Sequence, residues 1–129
     1  MSPPFARLMR SSIVHVGFAF LAMGGWAAFA NRAHPMPAPL HAGLLQGAIS
    51  ATITLVLKRA IECLASRFSG LAALLAPPVI AGLVSATLLT ILHTLGGTPE
   101  IAKTIAVPLT VATSYAALYN YSLWRTRKA

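Results

Sequence analysis

Acid is what this chain has least of. Among 129 residues the only carboxylate side chains are Glu62 and Glu100, and there is no aspartate. Acid–base chemistry on paired carboxylates needs two such groups at one site. In the topology argued below these two lie on opposite sides of a membrane. The single cysteine, Cys63, excludes an intrachain disulfide; beside Lys58 and Arg59 it reads as a small interfacial apolar residue. No glycine-rich phosphate loop, nucleophile elbow or HExxH helix occurs, so the sequence indicates neither an enzyme nor a bound cofactor. Charged residues amount to 9%, against roughly a quarter in soluble domains.

Apolar residues are abundant instead, at 57% of the chain. So little polar surface cannot cover a soluble core, which leaves lipid as the solvent. The net charge of +8 is spread between apolar runs rather than gathered on one face, and this speaks against nucleic acid as a partner. The length allows a single domain, residues 1–129.

Four apolar runs fall at about 12–30, 40–58, 77–95 and 104–124, each close to the ~20 residues that cross a bilayer as a helix. The first has a basic start and an Ala28-Phe29-Ala30 stretch that resembles a signal-peptide cleavage site. Three more runs follow it, so it is read as an uncleaved span. His15, about a turn inside, is expected to bond a neighbouring helix. Pro35, Pro37 and Pro39 then stop any helix.

In the second run Gly43, Gln46, Gly47, Ser50 and Thr54 share one face. Gly43 and Gly47 form a GxxxG pair that permits close helix packing, and Gln46 and Ser50 can bond across the contact. Whether this face is a packing seam or lines a ligand path stays open. Lys58, Arg59 and Glu62 follow at ion-pairing spacing.

Pro77-Pro78 could start the third span, since proline is tolerated at a helix start, with Leu71 to Ala76 at the interface; the alternative left open is a span from Leu71 kinked at the prolines. Gly82, Ser85, Ala86 and His93 make a small-residue face, and Gly96-Gly97 close the helix. The last helix reads from Thr98 as cap, with Pro99 and Glu100 in its first turn. Pro108 frees the carbonyl of Thr104. The face bearing Thr110, Thr113, Ser114, Ala117 and Asn120 is expected to pack on the second span. Tyr119, Tyr121 and Trp124, then Arg125, Arg127 and Lys128, mark a cytoplasmic membrane boundary.

Charge sets the orientation. With four spans, Arg7, Arg10, Lys58, Arg59, Arg67, Arg125, Arg127 and Lys128 share one side, and only Arg32 and Lys103 lie on the other. Eight against two is a strong positive-inside bias. The expected fold is all-α: a polytopic membrane protein of four transmembrane helices in two hairpins. Both termini face the cytoplasm, in the inner (cytoplasmic) membrane.

On the outer side His34, His41 and His93 approach Glu100 in sequence, but their spacing fits no zinc site, so they read as interfacial histidines and no metal is expected. On the inner side Lys58 and Arg59 end one span while Arg125, Arg127 and Lys128 end another. Where those helices neighbour each other, the cations converge at headgroup level and favour an anionic lipid or a lipid-linked phosphate. Gln46, Ser50, Thr54, Thr113, Ser114 and Asn120 would solvate its polar part between helices. A purely topological role for the same cations remains open.

Length, four spans, cytoplasmic termini and paired hairpins resemble the GtrA-type small membrane proteins. The fourth span ends Tyr119-Asn120-Tyr121-Ser122-Leu123-Trp124-Arg125, similar to that family's aromatic, Asn and Arg cluster. The second ends Leu57-Lys58-Arg59, without the Asn or the aromatic. The resemblance implies a non-enzymatic protein that moves or presents a polyprenyl-phosphate-linked sugar for cell-envelope glycan synthesis. The rival expectation is an accessory subunit that packs on a partner membrane protein or on copies of itself. An ion channel is disfavoured by the scarcity of intramembrane carboxylates.

Overall fold

A computed structural model describes residues 12–128 of the chain. Arg7, Arg10 and the side chain of Lys128 lie outside what it describes. Four helices make up the fold: α1 (Ser12–Ala30), α2 (Ala38–Ala65), α3 (Gly70–Leu95) and α4 (Ile101–Lys128). Each is long and apolar enough to cross a membrane. Phe18, Leu21, Leu44, Leu83 and Leu118 are exposed, whereas Asn31, Gln46, His93, Thr104 and Asn120 are fully buried. Lipid rewards that inverted distribution, because apolar groups need no shelter there and polar groups do. The chain has the build of a multi-pass membrane protein.

Short connections set successive helices antiparallel. α1 packs on α2 and α4, α3 packs on α2 and α4, and α2 also meets α4 across the bundle. Among the described residues α1 and α3 make no contact.

The first hairpin is closed by backbone contact. A Cβ on Gly24 would stand 2.8 Å from the Gly43 carbonyl oxygen, one on Gly43 would stand 3.0 Å from the Gly24 oxygen, and one on Gly47 would stand 3.0 Å from the Phe20 oxygen. The two faces therefore meet without side chains between them, as small-residue seams do in bilayers. Between α2, α3 and α4 a small apolar core gathers Leu57, Ile61, Ala81 and Ala116.

The helix boundaries decide between readings the sequence left open. α2 runs on to Ala65, two turns beyond the charged pair Lys58-Arg59. α3 begins at Gly70 and carries Pro77 and Pro78 inside it rather than starting there. Those prolines leave the carbonyls of Ala73 and Leu74 without helical donors, and the Asn120 side-chain amide supplies both, at 2.9 and 2.8 Å. α4 begins at Ile101. Thr98 does not cap it, because its hydroxyl lies 2.7 Å from His93 Nδ1. Asn31 takes the capping role, its Oδ1 accepting the Glu100 N–H at 2.9 Å.

At the end of α3, Gly97 takes the left-handed conformation (φ 72°) that a Schellman cap requires. The Thr98 N–H then bonds the His93 carbonyl and the Gly97 N–H bonds that of Thr94. This turn brings Thr98 back over the His93 ring.

The packing face of α4 is also rotated from the expected one. Thr104, Pro108, Ala116 and Asn120 are buried, while Thr110, Ser114 and Ala117 are exposed. A ridge at spacing four fits the α3 and α2 grooves more closely than the hydroxyl stripe does. Thr110 satisfies its own hydroxyl on the Ala106 carbonyl, so exposure to lipid costs it little.

Candidate functional site

A cavity of about 940 Å³ lies between α1, α2 and α4. Val16, Phe18, Ile53, Leu57, Val111 and Ala112 give it apolar walls, Ser50 and Thr54 add hydroxyls, and Lys58, Arg59 and His15 bring cationic or basic groups. The volume is at the upper end of what a small-molecule site occupies. The polar groups are graded along α2: Ser50, Thr54 and Lys58 follow at successive turns, so a walk down the cleft passes from hydroxyl to cation. His15, expected to bond a neighbouring helix, instead lines this cleft with its side chain exposed.

Behind Ser50 runs a buried polar chain that links the two hairpins. Gln46 Nε2 donates to Ser50 Oγ at 2.8 Å, and Gln46 Oε1 lies 2.7 Å from His93 Nε2. That pairing places the ring proton on Nε2, which leaves Nδ1 to accept from the Thr98 hydroxyl at 2.7 Å. His93 is thus wholly buried in this chain.

A second set of ties holds the α1–α2 and α3–α4 turns together. Asn31 uses its whole amide: Nδ2 donates to the Ala27 carbonyl (2.8 Å) and to Thr104 Oγ1 (2.7 Å), and Oδ1 accepts from Glu100. His34 meets Glu100 at 2.9 Å, and Trp26 Nε1 reaches the Lys103 carbonyl at 3.0 Å. The hydrogen bond from His34 holds the Glu100 carboxyl below its ordinary value, helped by the charges of Lys103 and His34 and opposed by partial desolvation. Sequence reasoning passed over Asn31 and Trp26. The available signal was a lone amide directly after an apolar run, since such a group needs partners at a membrane boundary.

The end of the bundle that holds the α2–α3 turn is organised by α4. Trp124 Nε1 donates to the Gly70 carbonyl at 3.0 Å and an Arg127 Nη donates to that of Ala65 at 2.6 Å. Both residues border a smaller cavity of about 480 Å³ with Phe68, Ser69 and Leu71. Glu62 accepts the Tyr119 hydroxyl at 2.5 Å, and among the described residues it makes no ion pair with Lys58 or Arg59.

The thirteen residues singled out from sequence are therefore divided. Ser50, Thr54, Lys58 and Arg59 share the large cleft, with Gln46 directly behind. Gly43 and Gly47 face α1. Thr113 packs on Gly82 of α3, and Asn120 turns into the α3 backbone. Ser114 is exposed. Arg125 and Arg127 sit with the Lys128 backbone at the end of α4, away from the lining of the large cleft. Arg127 contacts Ala65, seven residues past Lys58, or about 10 Å along a helix axis. The two basic groups do not converge on one cavity. Comparison with protein-family models, curated proteins and solved structures finds no match. The geometry alone carries the functional argument.

Proposed function

We propose that the protein binds an anionic amphiphile in the cleft between α1, α2 and α4 and presents it at, or moves it across, the membrane. The carrying observation is the grading of that cleft, with Lys58 and Arg59 at one end, Thr54 and Ser50 on the next turns and apolar walls around them. A phosphate fits the cations, and the hydroxyls suit a polar group that would otherwise be stranded in hydrocarbon. The GtrA-type resemblance names a polyprenyl-phosphate-linked sugar as the ligand and cell-envelope glycan synthesis as the process. In this reading the protein is not an enzyme, and it sits in the inner membrane with both termini cytoplasmic, as the eight-to-two charge bias favours. Arg125, Arg127 and Lys128 then attract anionic headgroups at the surface, one helix end away from the cleft.

The test is lipid retention by native mass spectrometry in mild detergent, paired with transfer of a fluorescent polyprenyl phosphate in proteoliposomes. Lys58→Gln with Arg59→Gln should lower both, at about 1 kcal/mol of association per charge. Undiminished retention and transfer in the double variant would refute the reading. A second reading, an accessory subunit or homo-oligomer, is favoured by Ser114 and Ala117, exposed on the face of α4 turned away from the bundle. It predicts a stoichiometric partner, or a second copy, that is lost on Ser114→Leu.

A further inference from the structure

The buried chain behind the cleft has a direction. Thr98 O–H donates to His93 Nδ1, His93 Nε2–H to Gln46 Oε1, and Gln46 Nε2–H to Ser50 Oγ. Gln46 Nε2 keeps a second N–H that meets no acceptor among the described residues, and the Ser50 hydroxyl is the last donor of the chain. Ser50 Oγ accepts from Gln46, and among the described residues its own proton meets no acceptor. Ser50 is nine-tenths buried, with 7% of its surface accessible, and what it borders is the cleft. A buried hydroxyl proton without an acceptor is costly, and here the cleft is the one direction left to it.

We propose that the Ser50 hydroxyl is a specificity-determining donor of the cleft, and that Gln46, His93 and Thr98 are positioning residues that aim its proton at the ligand. The inference rests on the cleft reading above and narrows the ligand class. Ser50 and Lys58 are eight residues apart on one helix, so the ligand carries an acceptor oxygen about 12 Å from its anionic group. A simple alkyl phosphate has nothing to offer at that depth. Reversal of the chain would turn the Ser50 proton back to Gln46 and leave the Thr98 proton free instead. The Gln46 amide and the His93 tautomer set the direction together, and Thr98, on the α3–α4 connection, completes the chain at its far end.

Two probes separate the ideas: an alkyl phosphate interrupted by one ether oxygen at that distance from phosphorus, and its all-methylene analogue of equal length. Affinities are measured for the full chain in nanodiscs of neutral lipid. The wild type should prefer the ether by about fivefold, the worth of one neutral hydrogen bond. Ser50→Ala should abolish the preference. Should that variant not fold, Ser50→Cys, a weaker donor of similar shape, should reduce it. Thr98→Val should reduce the preference by loosening the direction of the chain, and Thr98→Ser, which keeps the hydroxyl, should retain it. A merely structural Thr98 would weaken both probes alike. Equal affinities in the wild type, with both probes still dependent on Lys58 and Arg59, would overturn this inference while leaving the cleft reading in place. Binding of neither probe through those cations would overturn both.

Discussion

Replacing Asn120 by leucine tests how α3 tolerates two prolines inside a membrane span. Pro77 and Pro78 remove the donors for the carbonyls of Ala73 and Leu74, and Asn120 Nδ2 bonds both oxygens from α4. A bilayer-embedded interhelical hydrogen bond is worth about 0.6 kcal/mol on average and up to ~1.7. Two of them give about 1–3 kcal/mol. Leucine also removes Asn120 Oδ1, which is buried without a partner, and this offsets part of the loss. The expected net cost of Asn120→Leu is about 1–2 kcal/mol, and Asn120→Asp costs more because it turns acceptor oxygens toward two carbonyls. The decisive background is Pro77→Ala with Pro78→Ala, where restored N–H groups serve the same carbonyls from within α3. There Asn120→Leu should be neutral or stabilising, a coupling of at least about 1 kcal/mol in the cycle. Unfolding measured by steric trapping in bicelles gives all four corners. Equal costs in both backgrounds would refute the claim that the amide compensates for the prolines.

Gly24→Ala places its Cβ 2.8 Å from the Gly43 oxygen, whereas Gly25 has nothing within 4 Å. The first should lower stability by about 1–3 kcal/mol through overpacking and the second should not, read as thermal midpoints in detergent. The pairing of Glu100 should make the outer ties acid-sensitive. A carboxyl depressed in the folded state stabilises above its unfolded value, and that contribution is lost as pH falls from the ordinary 4.5 through the lower folded value. The wild type should therefore lose more stability than Glu100→Gln on acidification across that window, and equal slopes would remove the pair from the account. Topology is read from thiols: the exposed native Cys63 should resist a membrane-impermeant maleimide in intact cells, and Ala33→Cys on the α1–α2 turn should react. Labelling of Cys63 from outside would invert the orientation.

Four helices and their outer turns were legible because apolar run length and proline position act locally. So was the glycine pair of α2, since GxxxG acts through backbone shape alone. What escaped depended on residues far apart in sequence. Pro77-Pro78 looks like a helix start until Asn120 is known to stand across from it. The hydroxyl stripe of α4 looks like an interface because threonine and serine are polar, yet a threonine that bonds its own helix backbone needs no neighbour. The continuation of α2 past Lys58 and Arg59 is legible in the spacing of Glu62, while its reach to Ala65, which adds Ile61 and Ala65 as buried contacts, is not. The cleft was half visible: Ser50 and Thr54 were placed on one face with Gln46, while the walls contributed by α1 and by the middle of α4 follow from packing alone.

The way Asn31 and Gln46 are satisfied bears on how the protein is made. The first hairpin leaves the ribosome before the second, and its glycine seam lets it close at once. At that stage Asn31 lacks Thr104 and the Glu100 N–H, and Gln46 lacks His93. Those amides face hydrocarbon or the headgroup layer until α3 and α4 are inserted. The early intermediate thus has its glycine seam closed while Leu57 and Ile61 still lack Ala81 and Ala116 and its amides are only partly bonded. Docking of the second hairpin supplies those partners, so the polar groups of the first hairpin are satisfied only when the last two helices have packed.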